Sequence, residues 1–125
     1  MKVFTLNEAN EMLGQVRPRI LRLQKLHAYL QKQRAAAQQA AANAVKGGGG
    51  MADGGLYVAR LLEFSELNRT IIDSGIQIKD YTRGLIDFPA WREDRIVLLC
   101  WQLGEGDEIE WWHDEEAGFA GRQRL

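Results

Sequence analysis

The sequence predicts an α+β fold: a long antiparallel helical hairpin followed by a small antiparallel β-meander of about four strands. Two observations carry this. Apolar residues recur at helical spacing through residue 74 and then switch to a period of two. The connections after residue 75 are also short, which makes neighbouring strands antiparallel. The chain has 125 residues with 46% hydrophobic and 26% charged, the size and composition of one globular domain. The expected organisation is therefore one domain over 1–125. It divides into a helical hairpin over 5–74 with a flexible Gly-rich linker at 46–55, a meander over 76–113 and a tail over 114–125.

The first helix opens at Thr5, which with Glu8 forms a TxxE capping box. Leu6, Ala9, Leu13, Val16, Ile20 and Leu23, then Leu30, Ala37, Ala41 and Ala44, form a heptad seam of the coiled-coil type. Pro18 falls inside it and predicts a kink, because proline lacks a donor and presses on the carbonyl of Gly14. His27 and Arg34 occupy seam positions and are read as the solvated part of the stripe. The run GGGG at 47–50 lacks the lysine and hydroxyl of a phosphate loop and reads as linker.

A second helix is expected from about Leu56 to Ser74, ended by Gly75. Its apolar residues cover a wider face than one partner helix needs, which calls for the sheet or another subunit on the far side.

Strands are expected around Ile76–Lys79, at Leu85–Phe88 (stopped by Pro89), at Ile96–Leu103 and at Ile109–Trp112. The apolar run IVLLCWQL is the expected central strand. Trp111 and Trp112 are adjacent, so on a strand they face opposite sides.

Net charge is −1, yet the charges are segregated. Residues 17–46 carry Arg17, Arg19, Arg22, Lys25, Lys32, Arg34 and Lys46 without an acid; residues 104–116 carry seven acids without a Lys or Arg. The basic helix is a stripe fit for an acidic partner. Nucleic-acid recognition by the aromatic sheet is disfavoured, because its flanking charges repel phosphate. The single Cys100 makes no internal disulfide, and no segment reads as a signal peptide or membrane span, so a cytoplasmic location is expected.

Asp80, Asp87, Cys100, Glu105 and His113 are the polar residues that could carry chemistry. Asp87 stands inside LIDFP, where a carboxylate costs free energy unless it is paired or binds a cation. Oxygen ligands with one imidazole suit zinc, manganese or iron, so Asp87, Glu105 and His113, with Asp80 in reserve, form a candidate metal set. The competing expectation is structural: Asp87 paired with Arg83, Arg92 or Arg122, and Glu105 either a solvated turn residue or paired with Arg122 if the tail, anchored by Phe119, folds back. A nucleophilic Cys100–His113 pair is disfavoured, because strand alternation gives Cys100 no evident base.

The segments FTLNEAN, VRPRIL, GIQIKD, GLIDFPA, VLLCWQLGE, WWH and GFAGRQRL occur in this order. Together they resemble an uncharacterised prokaryotic family, domain of unknown function 2203, over nearly the whole chain apart from its Ala/Gln/Gly-rich middle. The resemblance implies a small standalone bacterial protein and supplies no activity. Its motif positions here are Asp87, Cys100, Trp101, Glu105, His113, Gly118 and Arg122, with Trp112 inside WWH; Arg124 stands where the family pattern has proline.

Two functions follow as expectations. The first is a binding or assembly module, a homo-oligomer with a dimer favoured, acting through the hairpin and the aromatic sheet. The second is a divalent-metal protein, with metal-dependent hydrolysis as its extension.

Overall fold

The computed structural model describes residues 1–45 and 54–125. Most of the Gly-rich linker expected at 46–55 lies outside the described residues; Gly54 and Gly55 belong to the second helix. The element order is α1 (Leu6–Val45), α2 (Gly54–Asp73), β1 (Gln77–Asp80), β2 (Leu85–Arg92), β3 (Arg95–Gln102), β4 (Trp111–Asp114), a 3-10 turn (Phe119–Gly121) and β5 (Gln123–Arg124). The two helices pack against each other, and the strands form one antiparallel sheet in sequence order, β1-β2-β3-β4-β5. This is the expected α+β arrangement with one strand more than the meander of four.

The capping box forms as the spacing demands. The Thr5 amide donates to Glu8 Oε1 at 2.8 Å and the Glu8 amide to Thr5 Oγ1 at 3.0 Å. Helix α1 then runs unbroken through Pro18. Of the seam, Ala9, Leu13, Val16, Ile20 and Leu23 are buried, while Leu6 is exposed. These residues enter a core with α2 and the sheet of the same chain, so the heptad spacing serves an intramolecular contact. Leu26, outside that seam, is also fully buried. His27 stacks on Tyr81, with ring centroids 5.2 Å apart. Arg22 clamps α1 to α2 through two 2.7 Å bonds to Glu63, holding that carboxyl below its ordinary range.

Gly75 ends α2 at φ 100°, and a Cβ there would lie 2.8 Å from the Lys2 side chain. Gly84 is held as tightly: φ is 60°, and a Cβ would lie 2.4 Å from Leu103 Cδ1. Between β2 and β3 the pair Arg92↔Arg95 leaves a two-residue turn. Glu93 and Asp94 both have positive φ, the signature of a type I′ hairpin.

Three strand boundaries differ from expectation. First, β2 does not stop at Pro89 but continues to Arg92. β1 pairs with β2 only through Asp87, so the missing proline N–H falls where no strand needs it. The Pro89 carbonyl instead accepts from the Phe4 amide at 2.7 Å. Second, β4 starts at Trp111 rather than Ile109. The Ile109 amide is taken by Asn10 Oδ1 at 2.8 Å, and its side chain joins the core. Third, the tail supplies β5, pairing Trp111 with Arg124 and Trp112 with Gln123.

The pairing register sorts the sheet residues by face. Ile86, Phe88, Ala90, Val97, Leu99, Trp101 and Trp112 share one face and form a single core with the helix residues. Leu85, Asp87, Leu98, Cys100 and His113 are buried on the opposite face, outside that core, with Trp111 half-buried beside them. The C-terminal segment returns over this second face. Arg122 lies 4.8 Å from the Trp111 ring and 4.6 Å from the Phe119 ring.

Candidate metal centre

The register alone brings three strands' chemistry together. Asp87 on β2 lies directly opposite Cys100 on β3. His113 on β4 pairs with Leu98, two residues from Cys100 on the same face, and so sits diagonally to it. The ligand-bearing atoms of Asp87, Cys100 and His113 all lie within 4.8 Å of one another, and all three residues are buried.

The histidine's protonation follows from its partners. Its Nδ1 is 2.7 Å from the Asp114 carbonyl oxygen, which can only accept, so Nδ1 carries a hydrogen. In a neutral imidazole, Nε2 is then a bare lone pair. That lone pair faces Asp87 Oδ2 at 3.0 Å. Two acceptors at this distance need a proton or a cation between or beside them. A proton makes a buried imidazolium–carboxylate pair; a cation makes a metal centre. The second carboxylate oxygen, Asp87 Oδ1, is buried without a hydrogen-bond partner.

Cys100 stands beside the same carboxylate. Burial, and then the Asp87 charge, push its thiol well up, so it is a protonated thiol at neutral pH. It is therefore no nucleophile in the metal-free protein. Treatment with iodoacetamide at pH 8 should leave Cys100 unmodified over a time that fully labels a solvent-exposed thiol, as read by mass spectrometry. Rapid labelling would contradict the burial.

The other expected residues lie elsewhere. Glu105 is not beside His113. Its Oε1 accepts from the Gln102 amide at 2.9 Å, and its Oε2 pairs with Arg122 at 2.5 Å. It closes the turn after β3 because a carboxylate three residues past a strand end can reach back to that free amide. Asp80 caps the next turn, accepting from the Arg83 amide at 3.1 Å. Each uses one oxygen on a backbone amide, and neither joins the buried cluster, in which Cys100 stands with Asp87 and His113. Asp87 finds His113, not an arginine. Trp101 and Trp112 are core residues; the Trp101 indole donates to the Gly106 carbonyl at 2.9 Å. Arg122 pins the C-terminal segment through Glu105, with only 8% of its side chain exposed.

A cavity of about 130 Å³ adjoins the cluster, bounded by Asp87 and His113 from the sheet and by Gly118 and Phe119 from the returning segment. Sequence reasoning flagged Cys100 as able to carry chemistry but left it outside the metal set. Its signal was positional: counting back equally from the Arg92–Arg95 turn places residue 100 opposite residue 87.

The basic and acidic segments meet in part. Arg17 pairs with Asp107 at 2.7 Å and donates to the Gly106 carbonyl at 3.1 Å. Among the described residues, no helix is long and apolar enough to cross a membrane.

No curated protein and no solved structure matches the chain. The family whose model matches is described as an uncharacterized conserved protein, and the match spans residues 2–125, which include all three residues of the buried cluster. The chain therefore belongs to the family of domain of unknown function 2203, as its motifs had suggested.

Proposed function

We propose that the protein is a divalent-metal protein whose ion is held by Asp87, Cys100 and His113. The observation that carries this is the 3.0 Å approach of His113 Nε2 to a buried carboxylate whose other oxygen has no partner, with the Cys100 sulfur within 4.8 Å. Three protein ligands leave a fourth position open, the pattern of zinc sites that bind a water or a substrate. The Nδ1–H bond to a backbone carbonyl is the usual way a ligating histidine is oriented. A thiolate ligand favours zinc over manganese, which prefers oxygen. Binding requires the Cys100 thiol to lose its proton, so zinc uptake strengthens as pH rises.

Protein purified without chelator should carry zinc at a stoichiometry near one per chain, measured by elemental analysis. Cys100→Ala should lower zinc affinity by about a hundredfold or more, and Glu105→Gln should leave it within about threefold. Metal-free protein that shows no thermal shift on adding zinc or cobalt would sink the proposal.

A second reading, an assembly module, is supported by the outward side of α2. Val58, Leu62 and Ile72 are between 48% and 65% exposed there, and among the described residues no element covers them. Here the partner is a second copy, and light scattering at micromolar concentration should give a dimer that Leu62→Glu converts to monomer. A wild-type monomer would rule this reading out.

A further inference from the structure

The cavity beside the proposed ion is lined by two exposed charges that make no ion pair among the described residues. Lys79 and Glu115 both line it, together with Asp87, His113 and Phe119. Among the described residues, neither Lys79 nor Glu115 has an ion-pair partner, and they do not bridge to each other. They stand on opposite walls by origin: Lys79 on β1 at one side of the Asp87 strand, Glu115 just past β4 at the other. A simple anion would meet Lys79 but be repelled by Glu115; a simple cation would meet the reverse. A ligand carrying both signs satisfies both walls.

Size narrows the class. A cavity of about 130 Å³ has room for roughly four waters, enough for a molecule of five or six heavy atoms. Its apolar wall is the Phe119 ring, which the guanidinium groups of Arg83 and Arg122 approach to 3.9 Å and 4.6 Å from its centroid.

We propose that this cavity binds a small zwitterion, an α-amino acid of about the size of glycine or alanine. Its carboxylate lies toward Lys79, and its ammonium lies toward Glu115. The inference rests on the metal reading, in which an ion held by Asp87, Cys100 and His113 would add positive charge beside the cavity.

The test is isothermal titration of zinc-loaded protein with glycine, L-alanine, acetate, methylammonium and L-phenylalanine. Glycine and alanine should bind at least about tenfold more tightly than acetate or methylammonium, and phenylalanine should not bind. Lys79→Met and Glu115→Gln should each weaken glycine by about tenfold while zinc content stays unchanged. Acetate binding as well as glycine, indifference to Glu115→Gln, or no heat from any ligand each overturns the zwitterion site. In those three outcomes the metal stays bound, so the metal reading stands. A chain that takes up no zinc overturns both.

Discussion

In zinc-free buffer, His113→Ala should lose about 3–5 kcal/mol of folding stability, a drop in Tm on the order of 10 °C for a domain of this size. The reason is the carboxylate left behind. Asp87 is 1% exposed, one of its oxygens already lacks a partner, and the imidazole supplies the bond to the other. Deleting one member of a buried pair costs far more than deleting both, because an isolated buried charge has neither water nor counter-charge. Asp87→Val combined with His113→Leu should therefore recover most of the loss while binding no zinc. Chemical denaturation of the two variants beside the wild type reads the contrast directly. A single-variant loss below about 1 kcal/mol would mean that the pair is solvated.

Arg122→Ala should be the most damaging single change in the C-terminal segment, at about 2–4 kcal/mol. The guanidinium joins four parts at once: the Glu105 carboxylate, the Trp111 ring, the Phe119 ring and, through Glu105, the Gln102 amide. Removing it frees the segment that covers the second sheet face. The distinguishing readout is local: Cys100 should become labelled by iodoacetamide faster than in the wild type, and proteolysis should begin after residue 114. Arg17→Ala is the control. Its partner Asp107 is 90% exposed, so that pair should contribute no more than about 1 kcal/mol. Equal effects from the two arginines would contradict the assignment of Arg122 as the pin.

The features legible in the sequence share a cause: each is set by neighbours along the chain. Thr5 and Glu8 cap because they are three residues apart on a helix start. Gly75 stops α2 because only glycine takes that positive φ without strain. The apolar run of β3 is central because a strand buried on both faces cannot afford polar alternation. Asp87 stood out by the same logic, as a carboxylate among apolar residues. The extension of β2 past Pro89 was hidden, since it depends on which side of the proline lacks a strand. The displacement of β4 by two residues was hidden too. It depends on Asn10, nearly a hundred positions away, capturing the Ile109 amide.

The same division runs through the site. By itself the sequence determined an α+β fold with a capped helical hairpin, an antiparallel meander, one buried-looking carboxylate, Asp87, and a strand-end His113. The tertiary structure decided that Cys100 joins them and Glu105 does not. Glu105 lies close to Gln102 in sequence, so a local bond to a free amide outcompetes any distant role. Cys100 reaches Asp87 only through the β2–β3 register, and His113 reaches both only through the β3–β4 register. A one-residue slip of either register would turn these side chains to the helix face and dissolve the site. Local spacing fixes which residues are available; long-range pairing, enforced by the buried core on the other face, selects which of them meet.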